Sequence, residues 1–189
     1  MQNVYKYCPQ FENDKFLIRL ISPEDTADLL KVYSDPAAVP FFNSDNCHGD
    51  DFYYKTLERM QQAVDFWVFS YNEKYFVRWT IIDKETKEAI GTIELFHREA
   101  DEHFYECGLL RLDLRSDYET VFCIKNIISL IKESTFDLLY CKIIATKAVP
   151  QATERLQALR ELGFVAAEKV IIGTDGTKYG NYYILQNSL

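Results

Sequence analysis

The alternation of apolar and polar positions predicts one strand and then two helices in the first third of the chain. Residues 15–21 (K-F-L-I-R-L-I) alternate as a half-buried strand does. The motif S-P-E-D at residues 22–25 then predicts a helix start, because Ser caps helices well, Pro suits the first helical position and acids suit the first turn. That helix ends near Asp35, and a second helix is predicted over residues 51–66.

Strands and helices then alternate along the rest of the chain. Two β-rich runs within residues 79–96 flank a polar turn at residues 83–88, which predicts a hairpin. The pattern next predicts, in order, a strand over 103–114, a long helix over 117–136, a strand over 139–146, a helix over 150–162, and two strands over 165–172 and 179–186. We therefore predict an α+β fold with a mixed, largely antiparallel sheet of about six to seven strands flanked by about four helices.

The composition is that of an ordinary globular protein, with 48% hydrophobic and 26% charged residues among 189. We expect residues 1–189 to form a single domain. No apolar run reaches the roughly 18 residues that a membrane span needs, and the first residues lack the apolar segment of a secretory signal. Five cysteines without C-x-x-C spacing predict free thiols in a reducing cytoplasm, with no disulfide framework and no metal site.

The charge balance restricts the class of partner. A net charge of −8 argues against nucleic acid, whose phosphates an acidic protein repels. The same charge is compatible with a cationic partner such as an amine. An acidic surface that serves solubility alone is the ordinary explanation of such a charge, so the charge does not identify a substrate.

The opening motif resembles one family closely. Residues 17–36 read L-I-R-L-x-x-P-E-D-x-x-x-L-x-x-x-x-S-D-P. This motif and the order of elements resemble the GNAT superfamily of acetyl-CoA-dependent N-acetyltransferases, within it the branch that acetylates ribosomal-protein N-termini and small amines. The resemblance implies acetyl-CoA as co-substrate and a small-molecule or peptide primary amine as acceptor, with direct attack of the amine on the thioester. It also makes a homodimer through the last strands plausible.

The loop before the long helix departs from this family's pattern. Family members bind the pyrophosphate of coenzyme A at the helix start through Q/R-x-x-G-x-G/A, where glycines let backbone amides approach the phosphates. Counting back from Phe136 places Asp117 on the Gln or Arg, Thr120 on the first glycine and Phe122 on the second. The three positions that define the motif are therefore all substituted.

The substitutions also change the charge of this junction. Asp117 and Glu119 place carboxylates next to the expected phosphate site, where each opposes the phosphates by roughly 1 kcal/mol at surface dielectric. Ser116-x-x-Glu119 also reads as a capping box, in which side chains satisfy the helix's own amides. The sequence leaves a phosphate cradle and an ordinary self-capped helix as alternatives.

The helix before Gly163-Phe164 is the family's second cofactor element. Ala152 stands where the family has Asn, and Arg155 stands where it has Ser or Tyr, so no tyrosine is there to protonate the departing thiolate. Arg155 either reaches a phosphate or is an ordinary exposed helix arginine. The cofactor-binding residues that the resemblance implies are Leu112, Leu114, Glu119, Thr120, Val121, Phe122 and Arg155.

Amine acetylation needs a neutral amine, so a base or a water relay must remove a proton. The segment E-C-G-L-L resembles the family's E-x-G-Y/W, and it makes Glu106 our first candidate for the base. The alternative is a solvent-facing charge or a partner of Arg111. Glu94, on the preceding strand, is the second candidate.

The loop before the second helix is expected to shape the acceptor pocket. His48 lies there among Asp45, Asp50 and Asp51, which suggests an acidic mouth for a cation, although Asp50 or Asp51 also suits a helix cap. Aromatic residues cluster in the same region: Phe41, Phe42, Phe52, Tyr53, Tyr54, Phe66 and Trp67. They either wall a ligand pocket, form a dimer contact or pack in the core.

Three functions follow from the sequence. The first is an N-acetyltransferase that uses acetyl-CoA, with Glu106 or a water relay as base. The second is a catalytically degenerate protein that keeps the fold as a binding or regulatory module, which the lost glycines and the added acids favour. The third is a protein that binds another small ligand or acyl donor in the same cleft.

Overall fold

The computed structural model describes residues 3–98 and 104–187 and contains four α-helices and ten strands within them. The helices are α1 Thr26–Tyr33, α2 Leu57–Asn72, α3 Val121–Leu139 and α4 Thr153–Glu161. The strands are β1 Phe11–Glu12, β2 Phe16–Leu20, β3 Val77–Asp83, β4 Ala89–Arg98, β5 Cys107–Leu114, β6 Ile143–Lys147, β7 Val165–Ala166, β8 Ile171–Ile172, β9 Lys178–Tyr179 and β10 Tyr182–Gln186. No helix among the described residues is long and apolar enough to cross a membrane.

Eight strands form one sheet in the order β1-β2-β3-β4-β5-β6-β10-β7. All neighbouring pairs are antiparallel except β5 and β6, which run parallel. The α+β class and the largely antiparallel sheet are therefore confirmed, and the sheet has one strand more than the upper count we predicted. Strands β5 and β6 pair only from Cys107 to Leu110, so the last residues of β5 have no partner on β6.

The two faces of the sheet carry different side chains. Val77, Trp79 and Ile81 of β3 belong to the core under α3, and neighbouring β4 and β5 add Ile93 and Leu112 to it. The alternate positions of the same strands are polar and buried, which is unusual for a sheet face. A second apolar cluster from α1, α2 and the loop between them covers that polar face.

Several predicted boundaries are wrong, each for a local reason. The first predicted helix begins as a 3-10 turn at Pro23–Asp25, and Ser22 caps it as expected. The second helix starts at Leu57 rather than residue 51, because Thr56 is its cap. The carboxylates of Asp50 and Asp51 instead accept the amides two residues further on.

The C-terminal part departs most from the predicted pattern. The predicted strand over 165–172 is broken into β7, which joins the main sheet, and β8, which pairs with β9 in a separate ribbon. The turn that joins β8 to β9 contains Gly173 and Gly176, and Gly176 has a φ of +82° that favours glycine. The predicted strand start at His103 lies outside the described residues.

Candidate functional site

A cavity of about 370 Å³ opens between α2, the loop before it and strands β3 to β5. Its volume lies within the range of roughly 300–1,000 Å³ that is typical of ligand pockets. Its aromatic lining residues are Phe52, Tyr54, Phe66, Trp67, Tyr75, Phe76 and Phe96. Four of the aromatic residues expected in this region therefore line a pocket, whereas Phe41, Phe42 and Tyr53 are not among the residues that line it. We call this cavity the aromatic pocket.

A row of three charged residues forms the polar floor of the aromatic pocket. The strand register pairs Arg78 with Glu94, and Glu94 with Arg111, so the three side chains lie side by side across β3, β4 and β5. Arg111 donates to one oxygen of Glu94 at 2.6 Å, and the Nε of Arg78 donates to the other at 3.1 Å. Glu94 is thus held between two guanidinium groups and is only 1% exposed.

This arrangement fixes the protonation of Glu94. Burial by itself favours a higher pKa for Glu94, but the guanidinium groups of Arg78 and Arg111 outweigh it and hold the pKa below its ordinary value. A carboxylate with a lowered pKa is a weak proton acceptor. Glu94 therefore lies in the pocket as expected, and its surroundings favour orientation of the two arginines over base chemistry.

Arg78 also connects the floor to a deeper polar network. Its guanidinium donates to the hydroxyl of Tyr33 at 2.8 Å, lies 3.4 Å from Asp113 and stacks 4.0 Å from the ring centroid of Trp67. Burial raises the pKa of Asp113, and the charge of Arg78 only partly offsets this effect. One face of the Trp67 ring is thus already covered by the guanidinium of Arg78.

The rim of the aromatic pocket is closed by a second ion pair. Arg59 of α2 donates to Asp50 at 2.7 Å and lies 4.3 Å from the ring centroid of Tyr54. The hydroxyl of Tyr54 donates to the same carboxylate at 2.9 Å. Asp50 also accepts the amide of Phe52, so its capacity as an acceptor is largely used.

Two of the three acids of the mouth suggested by the sequence, Asp45 and Asp50, are paired with cations in the structure. Asp45 pairs with Lys147 at 2.5 Å and accepts the hydroxyl of Tyr182 at 3.1 Å. The backbone carbonyl of Asp45 also accepts a hydrogen bond from Arg111 at 2.8 Å, which ties the loop to β5. Asp45 therefore anchors the loop over the sheet, while His48 is exposed and lines the aromatic pocket.

The start of α3 is the second half of the predicted site. Thr120 is its N-cap, and its hydroxyl accepts the amide of Cys123 at 3.2 Å. The carboxylate of Glu154, from α4, accepts the amide of Val121 at 2.8 Å. The predicted Ser116–Glu119 capping box is wrong, because a 3-10 turn at Ser116–Tyr118 precedes the helix and Thr120 caps it instead.

Arg155 is not an exposed helix arginine, and its guanidinium is occupied by contacts within the protein. It is 2% exposed, and its guanidinium donates twice to Glu119, at 2.7 Å each. Its third nitrogen donates to the carbonyl of Leu112 at 2.8 Å and to that of Phe41 at 3.1 Å. Arg155 therefore joins α4, β5 and the loop after α1 at the point where β5 leaves β6. We call Arg155 and Glu119 the buried junction pair.

The junction residues do not fit acetyl-CoA in the arrangement shown. The first amide of α3 is taken by a carboxylate, and the cap is supplied by a threonine where the family has a glycine. The carbonyl of Leu112, on the strand expected to run beside the cofactor, is taken by Arg155. Leu112 and Leu114 are both buried, and Phe122 is 60% exposed with Lys15 lying 5.5 Å from its ring centroid. The anion site is thus satisfied by the chain's own side chains.

Glu106 lies at the other end of β5 from this junction. It occupies a turn with a φ of +53° immediately before the strand, and its carboxylate pairs with Lys142 at 2.6 Å. Its suggested pairing with Arg111 is wrong, because Arg111 binds Glu94. Glu106 does not line the aromatic pocket, and its local contacts favour a structural role.

Pocket residues that the sequence did not point to include Arg59, Arg78 and Tyr75. The hairpin turn at residues 83–88 alone would set Arg78 opposite Ile93, and a register shift between Ile81 and Ile82, which the sequence does not signal, sets it opposite Glu94. Tyr75 follows the end of α2 and carries no periodic signal. Across residues 3–98 and 104–187, no group of three or more His, Cys, Asp or Glu side chains is placed to hold a metal ion.

Comparison with known proteins gives the context of this geometry. Residues 15–165 match the family model of the acetyltransferase (GNAT) domain. The uncharacterized N-acetyltransferase YoaA of Bacillus subtilis (strain 168) is 27% identical over 95 residues, which is 50% of this chain and 49% of that relative, so the match spans about half of its length.

Two solved structures illustrate the breadth of the fold. The ribosomal-protein-S5-alanine acetyltransferase of Vibrio fischeri superposes with a TM-score of 0.68 at 17% identity, covering 95% of this chain and 97% of that chain. The spermidine N-acetyltransferase of Vibrio cholerae, solved with CoA and spermine, gives a TM-score of 0.64 at 12% identity, covering 93% of this chain and 98% of that chain. At these identities the likeness concerns the fold.

Proposed function

Because this chain belongs to the GNAT acetyltransferase family, we propose that it is an N-acetyltransferase that moves an acetyl group from acetyl-CoA to a primary amine. One observation carries the proposal. The aromatic pocket reaches β5 at Arg111, and the next residue, Leu112, directs its carbonyl to the α3–α4 junction. An acceptor in the pocket and a donor at the junction would therefore meet across a single strand.

The chain's own residues suggest how the amine is handled. Glu94 is held by two arginines, which makes it a positioning residue for the pocket floor. His48 lines the pocket and is exposed, and histidine is the side chain that most often acts as a general base in enzymes. We assign His48 the role of proton acceptor for the incoming amine, in place of Glu106, whose carboxylate is paired with Lys142 outside the pocket lining.

Binding of acetyl-CoA requires a change at the junction. When bound, it supplies the activated acetyl group. Glu154 must release the amide of Val121 before a phosphate can take it, and the buried junction pair must release the carbonyl of Leu112.

A second function has an observation in its favour. The bidentate contact between Arg155 and Glu119 is buried on both sides, and it is completed by two backbone carbonyls. A contact of this completeness suits a permanent structural role. It favours a GNAT-fold binding or regulatory module that holds a ligand in the aromatic pocket without an acetyl donor.

Turnover separates the two functions. The purified protein is incubated with acetyl-CoA and a panel of primary amines, and release of the coenzyme A thiol and acetylation of the amine are followed together. The transferase proposal expects both products in equal amounts and a marked loss of rate in His48→Gln. Absence of both products with every amine contradicts it and leaves the binding module.

Location and assembly are parts of the same proposal. All five cysteines are free, which supports a reducing compartment such as the cytoplasm. A homodimer through the C-terminal strands stays a proposal, and a relative of the same fold, the spermidine N-acetyltransferase of Vibrio cholerae, forms a dodecamer. Light scattering of the purified chain measures its state directly.

A further inference from the structure

The walls of the aromatic pocket are more apolar than an amine alone requires. Phe52, Tyr54 and Trp67 form the inner wall and are each 5% exposed or less. Phe66 and Tyr75 form the mouth and are 55% and 62% exposed. Large aromatic side chains that stay exposed around a cavity are typical of binding sites, because their burial by a ligand is favourable.

The charged groups of the aromatic pocket are already matched. Arg59 is paired with Asp50, and Glu94 is shared by Arg78 and Arg111. Behind the floor, Arg78 also faces Asp113. Three arginines thus oppose two carboxylates in the lining and one behind it, so the pocket has no net negative charge with which to attract a polycation.

The acids just outside the pocket are engaged as well. Asp45 is paired with Lys147, and the carboxylates of Asp51 and Asp175 accept backbone amides of their own loops. A polyamine needs several carboxylates spaced along its length and available to its ammonium groups. Asp45 is matched by a cation, whereas Asp51 and Asp175 keep their charge but do not line the aromatic pocket, so the pocket itself offers no row of carboxylates to a polyamine.

From these observations, and resting on the proposed function, we propose that the acceptor is a monoamine attached to an aromatic or large apolar group. The aromatic wall takes the apolar group, and the balanced floor accommodates the uncharged amine, which is its nucleophilic form. The same chemistry occurs in free arylalkylamines and in peptide N-termini whose first side chain is large and apolar.

The fluorescence emission of Trp67 can report whether a ligand occupies the aromatic pocket. It lines the aromatic pocket, whereas the other tryptophan, Trp79, is fully buried in the core under α3. We therefore titrate the protein with 2-phenylethylamine, with a phenylalanine-initiated peptide amide and with spermidine, and follow tryptophan emission. No acetyl donor is present, so the result is independent of whether acetyl-CoA binds.

The expected result is a saturable emission change with the aromatic amine or the peptide, and affinity for spermidine at least about tenfold weaker. Tighter binding of the peptide than of the free amine identifies a protein N-terminus as the source, and the reverse identifies a small molecule. Tyr75→Ala should weaken binding about tenfold, while Tyr105→Ala, an equally exposed aromatic residue that does not line the pocket, should not.

Two outcomes overturn the proposal. One is binding of spermidine as tight as, or tighter than, that of the aromatic amine. The other is the absence of any emission change with all three ligands in a protein whose thermal unfolding is normal. Failure of the turnover assay with a positive emission titration would instead remove the acetyltransferase step and leave the ligand class in place.

Discussion

The aromatic pocket and the α3 junction are built on the same chemical unit, a buried arginine paired with a buried glutamate. In the pocket, Arg78 and Glu94 lie under an open cavity and form its floor. At the junction, Arg155 and Glu119 lie where a cofactor groove was expected and fill it. The comparison teaches that a buried ion pair can either support a site or occupy one, depending on what covers it.

The physical reason lies in how each pair is satisfied. Charges taken out of water are tolerated only when geometry and additional hydrogen bonds compensate them. Arg78 finds that compensation in side chains of β3 to β5 and α1, so the space above the floor stays free. Arg155 finds it in the backbone carbonyls of Leu112 and Phe41, which brings three segments together and closes the gap.

The largest expected loss of stability comes from removing the charge of Glu94 in the pocket floor. Glu94→Gln removes the charge shared by two buried arginines and should lower the free energy of unfolding by about 4 kcal/mol at pH 7. Because the folded pKa of Glu94 lies below its ordinary value, this stabilisation is present above about pH 4.5 and is lost as the pH falls through the folded pKa. Urea unfolding at several pH values measures both effects.

The matched control for this variant is Glu88→Gln. Glu88 also contacts two cations, Lys31 and Arg115, but on the surface, so no comparable loss is expected. A gap between wild type and Glu94→Gln that stays constant or grows in acid would contradict the assignment of an ionised Glu94.

The next largest effect is expected at the buried junction pair, and it tests whether the pair only fills space or also stabilises the fold. Arg155→Ala leaves Glu119 buried and uncompensated and should cost about 3 kcal/mol of unfolding free energy. Replacing both partners by Met should restore most of this loss, because an apolar pair of similar volume avoids the desolvation cost. Chemical denaturation of both variants measures the difference, and a double variant no more stable than the single one would show that the contact itself stabilises the junction.

A smaller effect is expected from opening the start of α3. Glu154→Ala frees the amide of Val121 and removes a carboxylate that opposes phosphates by about 1 kcal/mol, so affinity for coenzyme A should rise about fivefold. Glu161→Ala, on the same helix and paired with Lys125 at the surface, should leave the affinity unchanged. Calorimetric titration with coenzyme A compares them, and equal changes in both variants would mean only a general charge effect.

The smallest effect is expected from restoring the family's glycines. Thr120→Gly with Phe122→Gly should raise affinity for coenzyme A modestly, about twofold, because the capping hydroxyl leaves the amide of Cys123 but two glycines also loosen the first turn. The same titration measures the change. If the affinity for coenzyme A does not change, the junction was never a phosphate site. The aromatic pocket would then be the open site of the two, and the junction would be purely structural.

Most of the fold could be predicted because its patterns are local. The alternation of residues 15–21, the turn at 83–88 and the helical spacing in α3 and α4 each lie within one segment. The start of α2 was missed because Asp50 and Asp51 look like caps but bind the amides two residues on. The broken C-terminal strands were missed because residues 165–167 and 170–172 are two apolar runs separated only by Glu168 and Lys169, and the sequence does not show that they join different sheets.

The site was harder to predict because its contacts are distant in sequence. Glu119 and Arg155 are 36 residues apart, and Phe41 and Leu112 contribute only backbone carbonyls, which carry no sequence signal. Glu106 matched a family motif, yet its place before β5 depends on a left-handed turn that no spacing indicates. The cross-strand row of Arg78, Glu94 and Arg111 could not be predicted either, because its register depends on a shift between Ile81 and Ile82 that the turn does not signal.

Calorimetric titration of the wild-type protein with acetyl-CoA at modest salt tests the central claim most directly. The account predicts saturable binding in the micromolar range, which requires the side chains of Glu154 and of the buried junction pair to give way to the ligand. Absence of binding at millimolar acetyl-CoA, in the wild type and in Glu154→Ala alike, would contradict the acetyltransferase proposal and leave a binding module as the remaining function.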